Sequence, residues 1–208
     1  VSISGNYAIV GAYSEDHDAS GTSASTTTDP DYKSKAGSAY IFERDTKKAK
    51  PDNVSQIFFG MGCFWGAERK FWHLDGLYTT VVGYAGGHTD DPNYEKVCSG
   101  TTGHAEVVKV IYDEKKINLN ELLKIFWESH NPTQLNRQGN DIGTQYRSII
   151  LTDQKSLIKQ LEESKEKFQQ LLEAKSLGKI QTEIKILKNF FVAEDYHQKY
   201  LYKNPNGY

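Results

Sequence analysis

Cysteine is scarce in this chain, which has only two among its 208 residues, Cys63 and Cys98. Two thiols exclude a disulfide-stapled scaffold, because such a framework needs several pairs. The formal net charge is only −2, so we expect no basic surface for nucleic acid or for an anionic membrane. Every apolar run is far shorter than the roughly 20 residues that span a bilayer, and we expect a soluble protein.

Patterns typical of metal sites and of export are missing from the sequence as well. The histidines are scattered without the close spacing that metal centres use, so no metal site is expected. The first residues lack a charged start followed by an apolar stretch, and no signal peptide is predicted. A length of 208 residues allows one compact domain, or one domain with a small appendage.

The chain divides into residues 1–45, a charged linker at 46–53, and residues 54–208. The first part contains short strand-like runs around a Gly-Asn turn and a polar loop, which predicts a small β appendage. It resembles one FG-GAP-like repeat, the kind that forms blades of extracellular β-propellers. Because a single repeat cannot bury its faces alone, we expect either a remnant of a longer array or an unrelated hairpin.

Two acidic residues in that polar loop raise the question of calcium. Asp16 and Asp18 alternate with other polar residues, and carboxylate oxygens are calcium ligands. The sequence offers no full ligand set, however, so we favour a solvated turn.

From Val54 onward, strand patterns alternate with helix patterns. Apolar and β-branched residues predict strands over 57–59, 77–85, 106–112 and 145–151. Helix and strand intermixed without strict βαβ repetition predict an α+β fold, in which a mixed sheet is flanked by helices.

Three helices are predicted between or after these strands. One begins at Cys63, and a second is capped by Asn118 or Asn120. The third is long and amphipathic and is expected to stop at Gly178. Its apolar face consists of Leu157, Leu161, Phe168 and Leu172.

The most informative motif is Gly62–Glu68, which reads GCFWGAE and follows the apolar run 57–59. This order places Cys63 where a buried strand turns into a helix. Unpaired N–H groups and a positive dipole end are found there, so we expect the thiol pKa to fall. Phe64 and Trp65 place an aromatic wall beside the sulfur. A reactive thiol beside an apolar patch predicts an enzyme that attacks a small, partly apolar group.

The same heptapeptide resembles the active-site signature of the A-type peptide-methionine (S)-S-oxide reductases. Five further blocks continue the resemblance in order: NYEKVCSG at 93–100, GHAE at 103–106, QGNDIGTQYRS at 138–148, AEDYHQ at 193–198 and NPNGY at 204–208. The resemblance covers residues 54–208, about three quarters of the chain. It implies a compact fold with a ferredoxin-like core, and thiol-dependent reduction of methionine (S)-S-oxide, free or in proteins, after oxidative damage.

The resemblance implies that Cys63 attacks the sulfoxide sulfur and becomes a sulfenic acid. Glu106 would donate a proton to the departing oxygen. This residue heads a strand of valines, and a carboxyl in apolar surroundings has a raised pKa and keeps its proton near neutrality. Without the resemblance, an ordinary exposed strand residue would be the preferred interpretation of Glu106.

The remaining site residues are also taken from the resemblance. Tyr94 and Tyr146 would donate hydrogen bonds to the sulfoxide oxygen, although any one of 13 tyrosines could simply pack in the core. Asp141 would orient the neighbouring site, or else form an Asx-turn in its Gly/Asn-rich loop. Phe64 and Trp65 would form the pocket for the methyl group of the substrate.

Many members of this family carry a resolving cysteine shortly after the NPNGY-type ending, where this sequence stops at Tyr208. We expect either a one-cysteine enzyme or a lost tail. Cys98 matches a family cysteine distinct from the resolving one, and we interpret it as structural. Thioredoxin, glutaredoxin or a small thiol would then reduce the sulfenic acid directly, with no metal or organic cofactor.

The sequence leaves two other interpretations to compare with the reductase. A cysteine hydrolase would need Cys63 in a Cys–His–Asn order, which no recognised pattern here supplies. Residues 1–45 could instead be a binding repeat that carries the reductase as a passenger. The reductase region favours the cytoplasm, whereas propeller-type repeats usually lie outside it. We expect a monomer that acts on oxidised proteins or free methionine sulfoxide.

Overall fold

The computed structural model describes residues 53–207 in full and three earlier strands by their backbone. These strands are β1 (Ser2–Ser4), β2 (Tyr7–Val10) and β3 (Tyr40–Glu43), and they form an antiparallel sheet in that order. They belong to a compact unit that ends at Pro51. The loop with Asp16 and Asp18 lies outside the described residues, as does the predicted linker up to residue 52, so the predicted domain boundaries stay a prediction.

The second compact unit begins at Asp52 and contains eight strands and five helices among the described residues. Its strands are β4 (Val54–Gly60), β5 (Leu77–Ala85), β6 (Ala105–Asp113), β7 (Arg137–Gln138), β8 (Asp141–Ile142), β9 (Ile149–Thr152), β10 (Glu183–Ile186) and β11 (Phe190–Val192). Its helices are α1 (Phe64–Arg69), α2 (Tyr94–Cys98), α3 (Leu119–Ser129), α4 (Ile158–Ala174) and α5 (Tyr200–Lys203). Single 3₁₀ turns lie at Thr144–Tyr146, Lys155–Leu157 and Asp195–His197.

Six of these strands form one mixed sheet in the order β10-β9-β4-β6-β5-β11. The β10–β9 pair is parallel, and the other four pairs are antiparallel. Strands β7 and β8 form a separate two-stranded hairpin. Helices pack on this sheet through a large apolar cluster, which confirms the predicted α+β fold with a mixed sheet flanked by helices.

Strand β4 is apolar at consecutive positions, and its surroundings in the sheet explain why. Ile57 and Phe59 face the helix-covered cluster, where the Phe59 ring stacks on Phe126 with centroids 5.1 Å apart. Phe58 points to the opposite face and packs against Phe190, with ring centroids 5.2 Å apart. Both faces of this central strand are therefore buried, so its side chains do not alternate with polar ones.

The helix predicted near Asn118 or Asn120 is α3, and Asn118 is its cap. The Asn118 side chain accepts a hydrogen bond from the Glu121 backbone N–H at 3.2 Å, and Glu121 in turn accepts one from the Asn118 N–H. This reciprocal arrangement satisfies two N–H groups that the helix start would leave unpaired.

The long amphipathic helix is present as α4, but the predicted stop at Gly178 is wrong. The helix ends at Ala174, and Ser176 takes the left-handed conformation with φ +54°. The Leu177 N–H then bonds to the Leu172 carbonyl at 2.8 Å, which completes a Schellman motif. Serine fills the position that glycine usually occupies, so the sequence signal pointed two residues too far.

The strand predicted over 145–151 is only half correct. Strand β9 covers the second half, whereas Tyr146 ends a 3₁₀ turn. Arg147 explains the break, because its guanidinium donates to the Thr144 carbonyl at 2.9 Å and to the Gly103 carbonyl at 3.0 Å. The chain is thus bent here by a buried cation that bonds both to its own turn and to a distant loop.

Candidate active site

Cys63 lies directly between β4 and α1, at the N-cap position of the helix, as the sequence predicts. Gly62 before it has φ +97°, a conformation that side chains rarely adopt. A Cβ at this position would also lie 2.8 Å from Cγ of Gln138, which belongs to β7. The glycine therefore allows both the turn that presents the sulfur and the close approach of the β7–β8 hairpin.

The predicted fall of the Cys63 pKa is wrong for the free protein. Burial, and after it the nearby charge of Glu106, raise the pKa of this thiol from 9.0 to about 12. The N–H groups of Trp65 and Gly66 face the sulfur and lower the pKa, but no capping hydrogen bond is formed. The loss of water around the thiol therefore outweighs the effect of these N–H groups.

Glu106 is the second residue of β6 and only 2% exposed, which places its carboxyl inside the molecule. Burial raises its pKa from 4.5 to about 8, against the effect of the Phe64 backbone N–H, which donates to Oε2 at 3.0 Å. The nearby charge of Asp141 adds to the rise. The predicted protonated carboxyl is thus supported by the geometry, and it lies against the residue that follows the cysteine.

Tyr94, Tyr146 and Asp141 come from three separate segments and converge on the same place. Tyr94 is the first residue of α2, Tyr146 ends a 3₁₀ turn, and Asp141 begins β8. Burial raises the pKa of Tyr146 to about 12, and the charges of Glu106 and Cys63 add to this rise. Burial also raises the pKa of Tyr94, so both phenols keep their protons and can act as donors.

Phe64 and Trp65 occupy different environments although they are neighbours in the chain. Phe64 is only 1% exposed, and its ring packs against His197 with centroids 4.9 Å apart. Trp65 is half-buried, stacks on Tyr200 at 3.7 Å between centroids, and donates from Nε1 to His197 Nδ1 at 2.9 Å. Both rings therefore meet at His197, and of the two only Trp65 retains appreciable exposed surface.

Two residues that the sequence analysis left without a role support this arrangement. The Glu194 carboxylate accepts hydrogen bonds from the Tyr94 backbone N–H at 2.9 Å and from the Tyr84 hydroxyl at 2.8 Å. His197 accepts the Trp65 N–H at Nδ1, so it is neutral with its proton on Nε2. Burial lowers its pKa and favours that neutral form. The AEDYHQ block was the only signal that could have pointed to this pair.

The described part of the chain holds no group of three or more His, Cys, Asp or Glu side chains arranged to bind a metal ion. Cys63 and Cys98 are both free thiols, the first partly buried and the second exposed. Across the same described residues, no helix has the length and apolar character needed to cross a bilayer. The predicted site residues that the structure brings together include a thiol, a buried carboxyl and two phenols.

Comparison with known proteins decides the family. The model of the family described as peptide methionine sulfoxide reductase matches residues 55–208. The chain belongs to this family. The reductase is 59% identical over 160 residues to the peptide methionine sulfoxide reductase MsrA of Photobacterium profundum, and this match covers 76% of each chain. It is 55% identical over 169 residues to the MsrA of Brucella anthropi, over 81% of this chain and 78% of the relative.

Solved structures agree with this assignment. The methionine sulfoxide reductase A of Corynebacterium diphtheriae superposes with a TM-score of 0.73 at 43% identity, over 76% of the reductase and 79% of that chain. Reduced Mxr1 from Saccharomyces cerevisiae gives 0.71 at 41% identity, over 77% and 91%. Mxr1 in complex with Trx2 gives 0.52 at 28% identity, over 75% and 91%. The reductase therefore reduces methionine sulfoxide, a reaction that repairs oxidised protein.

Proposed function

We propose that Cys63 is the nucleophile of this reductase and that Glu106 is its proton donor, acting on the S epimer of methionine sulfoxide. The observation that carries the proposal is the position of the Glu106 carboxyl, which is held at 3.0 Å by the N–H of the residue next to Cys63. A nucleophile and an acid on either side of one small site are what the reaction requires.

The chemical step transfers one oxygen atom and two electrons. The Cys63 sulfur attacks the sulfoxide sulfur and forms a sulfur–sulfur bond; the sulfur–oxygen bond of the substrate then breaks, and transfer of the oxygen to Cys63 breaks the sulfur–sulfur bond, which leaves Cys63 as a sulfenic acid and releases the thioether. The substrate sulfur is reduced to the thioether, and Cys63 is oxidised by the same two electrons. Glu106 gives its proton to the departing oxygen and regains one from the Cys63 thiol, so no proton is gained or lost overall.

The raised pKa values of the two groups suit this exchange. With the pKa of Glu106 at about 8 and that of Cys63 at about 12, both groups hold their protons at neutral pH in the free enzyme. Burial is the main cause of the raised pKa of Cys63, and the additional effect of the Glu106 carboxylate charge is absent while Glu106 is protonated. A positive charge that develops on the substrate as its oxygen accepts the proton would then favour loss of the thiol proton.

Tyr94 and Tyr146 are proposed to donate hydrogen bonds to the sulfoxide oxygen. That oxygen carries partial negative charge in the ground state and gains more as sulfur is attacked, so placed donors stabilise the transition state. Asp141 is proposed to orient this part of the site through its charge beside Glu106, Tyr146 and Cys63. Its charge also helps to keep Glu106 protonated.

Trp65 and Phe64 are proposed to bind the methyl group of the substrate. The indole ring is fixed by the Tyr200 stack on one side and by its hydrogen bond to His197. Phe64 lies beneath the same His197 ring and closes the apolar wall. A rigid aromatic surface can accept a methyl group on one side of sulfur and direct the oxygen toward the phenols, which would select one epimer.

Thioredoxin is the proposed reductant, with glutaredoxin or a small thiol as the alternative. Two reductant thiols take the oxygen off Cys63 as water and become a disulfide, which returns Cys63 to the thiol. Cys98 lies at the C-terminal end of α2 and its thiol pairs with the Tyr94 hydroxyl, so we propose a structural role for it. Oxidised protein should accordingly keep a trappable sulfenic acid and form no Cys63–Cys98 disulfide.

The experiment is reduction of the two separate epimers of a methionine sulfoxide peptide with dithiothreitol. Wild type should reduce the S epimer only, and Cys63→Ser should reduce neither. Cys98→Ser is the matched control, because it removes the other thiol and leaves a hydroxyl beside Tyr94, and it should retain turnover. Near-normal activity of Cys63→Ser would eliminate the proposed nucleophile, and turnover of the R epimer would eliminate the proposed selectivity.

For residues 1–45, the FG-GAP-like repeat stays our proposal, as does a cytoplasmic location for the reductase region. The support for the repeat is the sequence pattern, and the three strands β1, β2 and β3 are compatible with it. Expression of residues 54–208 alone tests whether the first part of the chain is needed for catalysis. Full activity there would make the first part dispensable for catalysis, whereas lost activity would assign it a part in the reductase.

A further inference from the structure

Glu68 is a fully buried charged residue that the mechanism does not use. It lies on α1 with 0% exposure, and its carboxylate accepts two hydrogen bonds from Lys199, from the backbone N–H at 2.9 Å and from Nζ at 2.7 Å. The Thr80 hydroxyl donates a third at 2.8 Å. A buried carboxylate is unfavourable unless it is paired and hydrogen-bonded, so Lys199 is the partner that makes this position tenable.

Lys199 is held in an unusual conformation at this contact. Its backbone has φ +53° and ψ +37°, the left-handed region that is unfavourable for residues other than glycine. Its ammonium group also donates to the Thr80 carbonyl at 2.9 Å and contacts the Thr80 hydroxyl. Local strain of this kind persists only where the surroundings fix it, and such positions cluster at functional sites.

The two residues that fix Trp65 lie on either side of Lys199. His197 accepts the Trp65 N–H, and Tyr200 stacks on the Trp65 ring. Gln198 between them bonds through its side chain to both backbone groups of Val82 in β5, at 2.9 Å each. Residues 197–200, here called the clamp segment, are therefore tied to the sheet at one residue and to α1 at the next.

Glu68 and Trp65 share α1 and lie three positions apart, nearly one helical turn. A bond from Glu68 to the clamp segment therefore sets the distance between Trp65 and its two aromatic partners. We propose that the Glu68–Lys199 pair is a positioning device for the methyl pocket, and that binding of the sulfoxide depends on it. The inference rests on the proposed role of Trp65 in that pocket, and it assigns Lys199 and Glu68 no contact with the substrate.

The kinetic test uses Lys199→Met, which keeps the length of the side chain and removes its charge. With N-acetyl-methionine sulfoxide methylamide as substrate, KM should rise roughly tenfold or more, because small displacements of a positioning surface have large effects. The rate at which dithiothreitol reduces the oxidised enzyme should not change. Lys159→Met is the matched control, since Lys159 is 87% exposed on α4, and its KM should equal that of wild type.

A second readout follows the Trp65 indole proton directly by nitrogen-labelled NMR. Lys199→Met should shift the Trp65 N–H resonance, which Trp65→Phe assigns, because the bond to His197 is altered. The Trp127 N–H, which donates to Ser164 at 2.8 Å in a different part of the core, should not move and serves as the internal reference. A general loss of folded protein would lower kcat and weaken both resonances, leaving KM unchanged.

Two further variants separate charge from backbone. Lys199→Arg keeps a cation, so its KM should be close to that of wild type. Lys199→Gly accepts the left-handed conformation but lacks the ammonium group, so its KM should rise as in Lys199→Met. If Lys199→Met does not fold, Thr80→Val takes its place in the test. This change removes one donor to Glu68 and should also raise KM. A folded Lys199→Met enzyme with normal KM and an unmoved Trp65 resonance would overturn the proposal. Failure of the proposed function would appear differently, as wild type without turnover.

Discussion

The backbone N–H of Phe64 donates a hydrogen bond of 3.0 Å to the Glu106 carboxyl, and this contact joins the start of α1 to β6. One element thus presents the sulfur and also orients the acid, so the two reacting groups cannot move independently. The N–H is one of those that a helix start leaves without an intrahelical partner. The helix N-terminus therefore serves the carboxyl as well as the thiol, whereas the sequence pattern pointed to the thiol alone.

Replacing Glu106 with Gln should slow the chemical step by roughly 10² to 10⁴, the usual contribution of a general acid. Because the pKa of Glu106 is about 8, wild-type single-turnover activity should be level below that pH and fall as pH rises through it. The variant should lose this alkaline limb. Glu163→Gln on the exposed face of α4 is the control. An unchanged alkaline limb in Glu106→Gln would assign the titration to another group.

The raised pKa of Glu106 also predicts how the free energy of unfolding depends on pH. Below pH 4.5 the Glu106 carboxyl is protonated in both the folded and the unfolded chain, so it has no pH-dependent effect. Between 4.5 and about 8 only the unfolded chain releases the proton, and the free energy of unfolding should fall as pH rises. Glu106→Gln has no carboxyl to titrate at this position, so its free energy of unfolding should not show this fall. Denaturant titrations should show the variant gaining roughly 3 to 5 kcal/mol relative to wild type between about pH 4 and about pH 9.

Gly62→Ala should damage the site more than it damages the fold. The new Cβ would need a left-handed backbone and would meet the Gln138 side chain, so the β7–β8 hairpin that carries Asp141 must shift. We expect the free energy of unfolding to fall by about 1 to 2 kcal/mol. The loss of transition-state stabilisation calculated from kcat/KM should be larger than that. Gly100→Ala, where φ is also positive but no atom lies within 4 Å, separates backbone strain from the clash. Equal kinetic losses in both variants would argue against a displaced hairpin.

Tyr94→Phe and Tyr146→Phe should each lower the chemical rate, and the double variant should lose about 10² or more if both phenols support the oxygen. Single-turnover rates measure this without interference from the reduction step. Tyr78→Phe is the matched control, because Tyr78 is exposed at the start of β5. A double variant with the wild-type rate would mean that Glu106 alone interacts with the sulfoxide oxygen.

Local patterns predicted the elements of the fold well where burial follows the sequence period. The strand at 77–85 coincides with β5, and the strand at 106–112 lies within β6. Errors arose where distant contacts, or a backbone conformation that the residue type rarely adopts, decide the local structure. The path around Arg147 depends on carbonyls of other loops, and the end of α4 depends on Ser176 adopting a conformation that serine shows rarely.

The structure brings the predicted site residues together, but the electrostatics of the Cys63 thiol differ from what the sequence suggests. A helix-start cysteine suggests a lowered pKa from sequence alone, yet the balance depends on how much water is excluded and which charges lie nearby. Glu106 supplies that charge from a strand 43 positions away in the sequence. The AEDYHQ block points to Glu194 and His197 but not to their roles, because their partners Tyr84, Tyr94 and Trp65 come from three earlier segments.

The central claim is that Cys63 takes the oxygen from the substrate. It is tested most directly by a single turnover without any reductant, using excess S epimer of a methionine sulfoxide peptide and a sulfenic acid trap. The account predicts one methionine formed per enzyme molecule and one trap adduct on Cys63, with Cys98 unmodified. Methionine formed without oxidation of Cys63 would contradict it, whereas a Cys63–Cys98 disulfide in the mass spectrum would overturn only the structural role proposed for Cys98.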